Sequence, residues 1–122
     1  MALALPIFLL LMFGILDLGR AVWEASTAAE AARQGARYAV TAPSDCSGIR
    51  RAALNAAVGV PVVGTPIIIE PGGAAIGQPV TVTVTVRFTP LTPLISAFVG
   101  SNGLTLTRSS TMLIQFGSGP GC

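Results

Sequence analysis

The chain has 122 residues, 52% hydrophobic and 10% charged, far below the ~25% charge expected of a soluble domain. Arginine supplies all 7 basic residues against 5 acids, a net charge of +2 with no basic run, so nothing forms an electrostatic footprint for nucleic acid. Histidine is absent, which removes the commonest general base and the commonest metal ligand together, so the chain reads as a non-enzyme with no cofactor.

Residues 1–16, MALALPIFLLLMFGIL, carry no charge and run without a break into an alanine-rich helical pattern that reaches Tyr38. Three readings compete for this opening. A cleaved secretory signal needs a basic start, which Met1-Ala2-Leu3 lacks, and a small-residue cleavage site followed by a break. A membrane span needs ~20 apolar residues, and the run up to Asp17 falls a little short unless Asp17 and Arg20 lie at the boundary or pair with each other. In the third reading the same helix leaves the lipid and packs among copies of itself, buried all round in a filament core. The second and third are compatible. Pro6 falls where the helix has barely begun, and Pro43 forces it to end, giving a rod of ~55 Å.

Charges along this rod stand in neutralising registers: Asp17 with Arg20, Arg20 with Glu24, and Glu30 with Arg33. The bland reading is a solvated face with local pairs. The sharper one has Asp17 and Arg20, flanked by apolar residues, meeting partners on neighbouring subunits and setting their register. Small residues recur at Ala21, Ala25 and Ala29 and at Ala28, Ala32 and Ala36, while Gly14 and Gly19 thin the rod lower down. Such stripes let helices approach closely, although alanine's helix propensity produces the same pattern. Pro6, Phe8, Leu11, Gly14, Asp17, Gly19, Arg20, Ala25, Ala28 and Ala32 are therefore the residues expected at an assembly interface.

After the TAPSDCSG connector, Ile49 to Val58 reads as a short second helix capped by Asp45 or Ser47, with Ile49 and Ala53 inward and Arg50, Arg51 and Asn55 wet. Beyond it the period changes to two. Val80, Val82, Val84, Val86 and Phe88 alternate with threonines and Arg87, a half-buried strand. Ile67 to Glu70, before a Pro71-Gly72-Gly73 turn, and Leu104 to Phe116, after a Ser101-Asn102-Gly103 turn, supply two more strands. Arg108 interrupts the inward series of the last strand, which points to a bulge or to a strand running past the edge of the core. The uncharged FTPLTPLIS stretch reads as an apolar loop or single helical turn that meets the core or a neighbour. The fold class is α+β: a long hydrophobic N-terminal helix over 1–42, and a head over 43–122 in which a short helix and a three-stranded antiparallel sheet pack on the helix's upper half.

Cys46 and Cys122 are too few for a zinc cage and lack redox-motif spacing, so a structural disulfide is the better reading. It would close a loop worth roughly 4.5 kcal/mol in the chain-entropy model and place the head in an oxidising compartment outside the cytoplasm.

These residues carry a resemblance. The segments Ala4-Leu5-Pro6, GILDLGRAVW and AARQGARYAV, and later FTPLTPLIS before a threonine-rich strand, are similar to the TadE-like family of bacterial tight-adherence (Tad) pilus proteins over nearly the whole chain. The specificity lies chiefly in Pro6, Gly14, Asp17, Gly19, Arg20, Gly35, Ala36, Arg37 and Tyr38. The resemblance implies a type IV pilin-like protein that a prepilin peptidase processes, that is held in the inner membrane, and that assembly machinery extracts into a surface pilus for adhesion. Its partners would be copies of itself in a helical filament and other pilins. Such proteins usually carry a basic leader, a cleavage glycine and a glutamate ahead of the segment matching Met1-Ala2-Leu3; here the numbering starts after them, as in a processed or trimmed form. The expected role is a fibre subunit, with a minor pilin or a non-polymerising anchored binding module as alternatives.

Overall fold

A computed structural model describes residues 3–70, 75–100, 102–117 and 120–122. Helix α1 runs over Ala4–Thr41, 38 residues or about 57 Å. Pro6 lies in its first turn, where the missing N–H is one of the four that have no intrahelical partner. At the other end Ala42 leaves the helical region at φ −137° while its N–H still donates to Tyr38 O at 3.0 Å. Pro43 then stops the helix.

Helix α2, Cys46–Ala56, starts three residues earlier than the apolar pattern suggests because Asp45 is a working N-cap: its carboxylate accepts from Gly48 N–H at 2.9 Å and from the Ser47 hydroxyl at 2.8 Å. Strands β1 (Val62–Glu70), β2 (Pro79–Phe88) and β3 (Leu104–Leu113) form one antiparallel sheet in the order β1-β2-β3. Between β2 and β3 lies a third helix, α3 (Pro93–Val99), with Pro93 at its start.

The β2–β3 ladder is continuous from Pro79↔Leu113 to Phe88↔Leu104, so the irregularity expected at Arg108 is not a bulge. Arg108 sits opposite Val84 on the inward parity but stays exposed, because β3 is an edge strand and runs past the side of α1. The register shift lies in β1 instead: five residues carry it from Val62 to Ile67 while β2 advances two, from Val86 to Val84. Pro66, which has no N–H to give the ladder, falls within that shift. β1 therefore begins well before Ile67, and β3 ends three residues short of Phe116. The Pro71-Gly72-Gly73 turn and Ser101 lie outside the described residues.

The core forms between the inward valines of β2 and one stripe of α1. Val80, Val82, Val84 and Val86 are fully buried, each side chain contributing about 1.5–3 kcal/mol. They pack in two adjoining groups. Val80 and Val82 meet Ala36, Ala39, Ile49 and Ile114, while Val84 and Val86 meet Ala28, Ala31, Ala32 and Ala53. The alternate residues of β2 face outward, where Thr81 bonds Thr111 at 2.8 Å and Thr85 bonds Thr107 at 3.2 Å across the strands.

This packing sets β2 antiparallel to α1. Going down the helix from Ala39 to Ala28 corresponds to going along β2 from Val80 to Val86, and below that Arg20 lies over the Phe88 ring at 5.8 Å. The head thus has an upper pole, where α1 ends, and a lower pole, where the bare part of the rod begins. At the upper pole Val40 O accepts from Gln115 and Phe116 N–H, both at 3.2 Å. Cys46 and Cys122 lie there too, bonded with Cα atoms 5.4 Å apart, and Ser44 Oγ donates to Pro120 O at 2.9 Å.

Candidate assembly interface

Among the described residues, nothing covers the apolar side chains of the lower part of α1. From Leu3 to Leu18 every Leu, Ile, Phe and Met side chain is exposed, on all sides of the helix, whereas Ala28 to Ala39 of the same helix supply the head's core. α1 is long and apolar enough to cross a membrane by length and composition. Pro6, Phe8, Leu11 and Gly19 stand on the exposed stretch, and Gly14 is half-buried. Ala25, higher up, is half-buried and lines a shallow cleft with Val22, Ala29 and Arg108.

Ala28 and Ala32 do not belong to this surface. Both are fully buried against Val84, Val86 and Ala53, so the small-residue stripe they form serves close approach of the chain's own sheet and second helix. Asp17 also finds its partners at home. It is 2% exposed and accepts from Leu91 N–H at 3.1 Å, from Thr92 N–H at 2.9 Å and from the Thr92 hydroxyl. A buried carboxylate with three donors is satisfied, which removes the need for a partner on a neighbouring subunit. Its expected pairing with Arg20 gives way to these bonds; among the described residues the close ion pairs are Arg20–Glu24 at 3.4 Å and Glu30–Arg33 at 3.8 Å.

Arg20 and Glu24 form the second polar feature of the junction. Glu24 is 3% exposed, and its Oε1 takes Arg20 Nη2, but Glu24 Oε2 and Arg20 Nη1 are buried with no hydrogen-bond partner among the described residues. The Phe88 ring beneath the guanidinium adds a cation–π contact. Phe88, Leu91 and Thr92 lie in the FTPLTPLIS stretch, expected as an apolar loop or single helical turn that meets the core or a neighbour; it opens α3 and meets α1, although none of the three is among the residues expected at an assembly interface. The Thr-Pro pair at 92–93 is a helix-start signal, but no pattern announces which carboxylate its amides will hold.

Two glycines show why the upper half of α1 fits so closely. A Cβ at Gly35 would stand 2.9 Å from Val82 Cγ1 and 3.1 Å from Ala53 Cβ, and one at Gly48 would overlap the Tyr38 ring and the Asp45 carboxylate. Tyr38 donates its hydroxyl to Asp45 Oδ2 at 2.9 Å, joining the last turn of α1 to the cap of α2. Bonds from Gly48 N–H, Ser47 and Tyr38 hold the Asp45 carboxyl below the usual carboxylate range, and that same carboxylate pushes the Tyr38 phenol above its ordinary value.

The junction between bare rod and head, with Asp17, Arg20 and Glu24 on one helix within two turns, lies within the stretch that a comparison with known families matches. No curated protein and no solved structure matches the chain. The family match stops at Arg37, short of the end of α1, and the head of alternating valine and threonine, a pattern common to many folds, is outside it. Over residues 1–37, which carry the exposed rod, Asp17 and the Arg20–Glu24 pair, the chain matches the family model described as TadE-like protein.

Proposed function

We propose that this chain is a structural subunit of a Tad or type IV-like surface pilus, stored in the inner membrane by the lower half of α1 and assembled through that same helix for adhesion. The carrying observation is the division of α1: its upper half is used up in the head, while its lower half presents apolar side chains in every direction. In a helical filament the lower halves would bundle with copies of the chain and with other pilins. Each Leu, Ile or Phe that the bundle keeps out of water would contribute about 1.5–3 kcal/mol, whereas one that leaves lipid for the bundle gains only close packing. The similarity to TadE-like proteins over residues 1–37 supports a pilus-associated role and implies processing by a prepilin peptidase.

Mass spectrometry with N-terminal sequencing of filaments sheared from the native cells tests the proposal. The expected result is this chain as the dominant component. Trace amounts would make it a minor pilin, and confinement to the membrane fraction would make it a non-polymerising anchored module.

A further inference from the structure

The lower pole of the head carries a second apolar surface beside the rod. From Thr89 to Leu104 the chain has no charged residue. Within this crossing Leu91 is 77% exposed and Phe98 88% exposed. Its position is fixed from two directions: β2 delivers it below Phe88, which lies at the level of Arg20, and the Asp17 carboxylate holds its Leu91 and Thr92 amides. Leu91 and Pro93 then border an apolar notch with Phe13 and Leu16 of the rod. On another flank the Trp23 ring lies beside Gly59, next to the exposed Val58.

Charge and exposure agree on what this surface faces. A bare Asp17 carboxylate would mark the upper limit of the uncharged run that ends at Leu16. The α3 crossing withdraws that carboxylate, so the exposed apolar surface continues past it through Leu18 and Val22 to Trp23. At the same level the two acids, Asp17 and Glu24, are buried, while Arg20 and Arg87 keep access to solvent. An apolar rim whose exposed charges, among the described residues, are cations, with a tryptophan at its edge, complements an anionic lipid surface.

We infer that α3 and the loop before it seat the head on the bilayer in which α1 stands, with Leu91 and Phe98 entering the boundary between headgroups and acyl chains. This rests on the membrane-stored state of the proposed function. The seat holds the head at a fixed height, and leaving the membrane uncovers both Leu91 and Phe98 at the moment a neighbouring subunit becomes available.

The test uses the full chain carrying Trp23→Phe with either Phe98→Trp or Leu91→Trp, reconstituted into vesicles of phosphatidylcholine and phosphatidylglycerol. Trp23→Phe with Phe116→Trp, at the upper pole, is the aqueous reference. At both lower positions the expected emission is blue-shifted, quenched by lipid brominated in the upper acyl chain, protected from aqueous acrylamide, and unchanged by the protein-to-lipid ratio. Acrylamide quenching equal to that of the reference would overturn the inference and leave the membrane-stored state intact. Protection that grows with protein density would also overturn it, assigning the surface to a second copy. A folded chain that does not float with the vesicles would overturn the stored state itself.

Discussion

Asp17 on α1 and Thr92 at the start of α3, 75 residues apart, are joined twice: the Thr92 N–H donates to Asp17 Oδ2 at 2.9 Å, and the Thr92 hydroxyl donates to the same oxygen. The Leu91 N–H takes the other oxygen. A carboxylate this deep on an otherwise apolar rod is tolerable only because the returning chain supplies all three donors. Thr92→Val, which keeps the shape and deletes the hydroxyl, is expected to lower stability by about 1.5–3 kcal/mol, the range for a hydrogen bond to a charged group. Asp17→Ala is expected to lower it further and to speed amide exchange at Leu91 and Thr92 while leaving the Val82 and Val84 amides protected. Urea unfolding and hydrogen exchange in detergent micelles check both.

Arg20 and Glu24 should be strongly coupled. Glu24 is buried and Arg20 partly exposed, and each leaves one polar atom unpartnered. Removing the arginine alone strands a buried carboxylate, whereas replacing both with apolar residues strands nothing. Arg20→Ala is therefore expected to destabilise by roughly 1–3 kcal/mol, less than for a fully buried pair because water reaches the guanidinium. Arg20→Met with Glu24→Leu is expected to recover most of that loss. A double-mutant cycle on the unfolding free energy measures the coupling, and simple additivity of the two single changes would refute it.

At Gly35 two effects oppose each other. Alanine in place of glycine within a helix gains about 1 kcal/mol of propensity. Here the new methyl would meet Val82 Cγ1 at 2.9 Å inside a fully buried cluster, and overpacking of that kind typically costs about 1–3 kcal/mol. Gly35→Ala is thus expected to be net destabilising, and to cost less in a Val82→Ala background, where the opposing methyl is gone and Ala53 Cβ at 3.1 Å is the remaining tight contact. Thermal unfolding of the two singles and the double decides the sign.

Those cases show where the sequence speaks and where it falls silent. The alternation from Val80 to Phe88 names its own buried face, since a strand has only two faces and threonine takes the wet one. Asp45 announces the second helix through its short oxygen-bearing side chain, and Pro43 announces the end of the first. The stripe through Ala28 and Ala32 is different. A row of small residues says that something approaches closely, and it reads the same whether the visitor is a neighbouring subunit or the chain's own sheet. Asp17 is silent for a related reason: its partners are two backbone amides and a hydroxyl far along the chain, and an amide has no side-chain signature. Pro66 hides the first half of β1, because a proline within a strand argues against the strand unless a register shift absorbs it.

The Asp45 carboxylate gives the head two pH limits. Asp45 titrates below the ordinary carboxylate value of 3.8, chiefly through the Gly48 N–H, then Ser47, then Tyr38. A depressed carboxylate favours the native state above its unfolded pKa, and that contribution disappears as pH falls below 3.8 through the native value. Tyr38 titrates above the ordinary phenol value of 10.0 because ionising it would end its donation to Asp45 and set two negative charges together. A raised phenol contributes below pH 10.0 and is lost as pH climbs through the higher native value. Unfolding temperature measured across pH is expected to fall at both ends. Tyr38→Phe should flatten the alkaline fall and leave most of the acid one, since Gly48 and Ser47 still bind the carboxylate. Asp45→Asn should do the reverse at the acid end and also remove the raised tyrosine titration, which absorbance near the phenolate band reads directly. An unchanged alkaline limit in Tyr38→Phe would place its cause elsewhere in the chain.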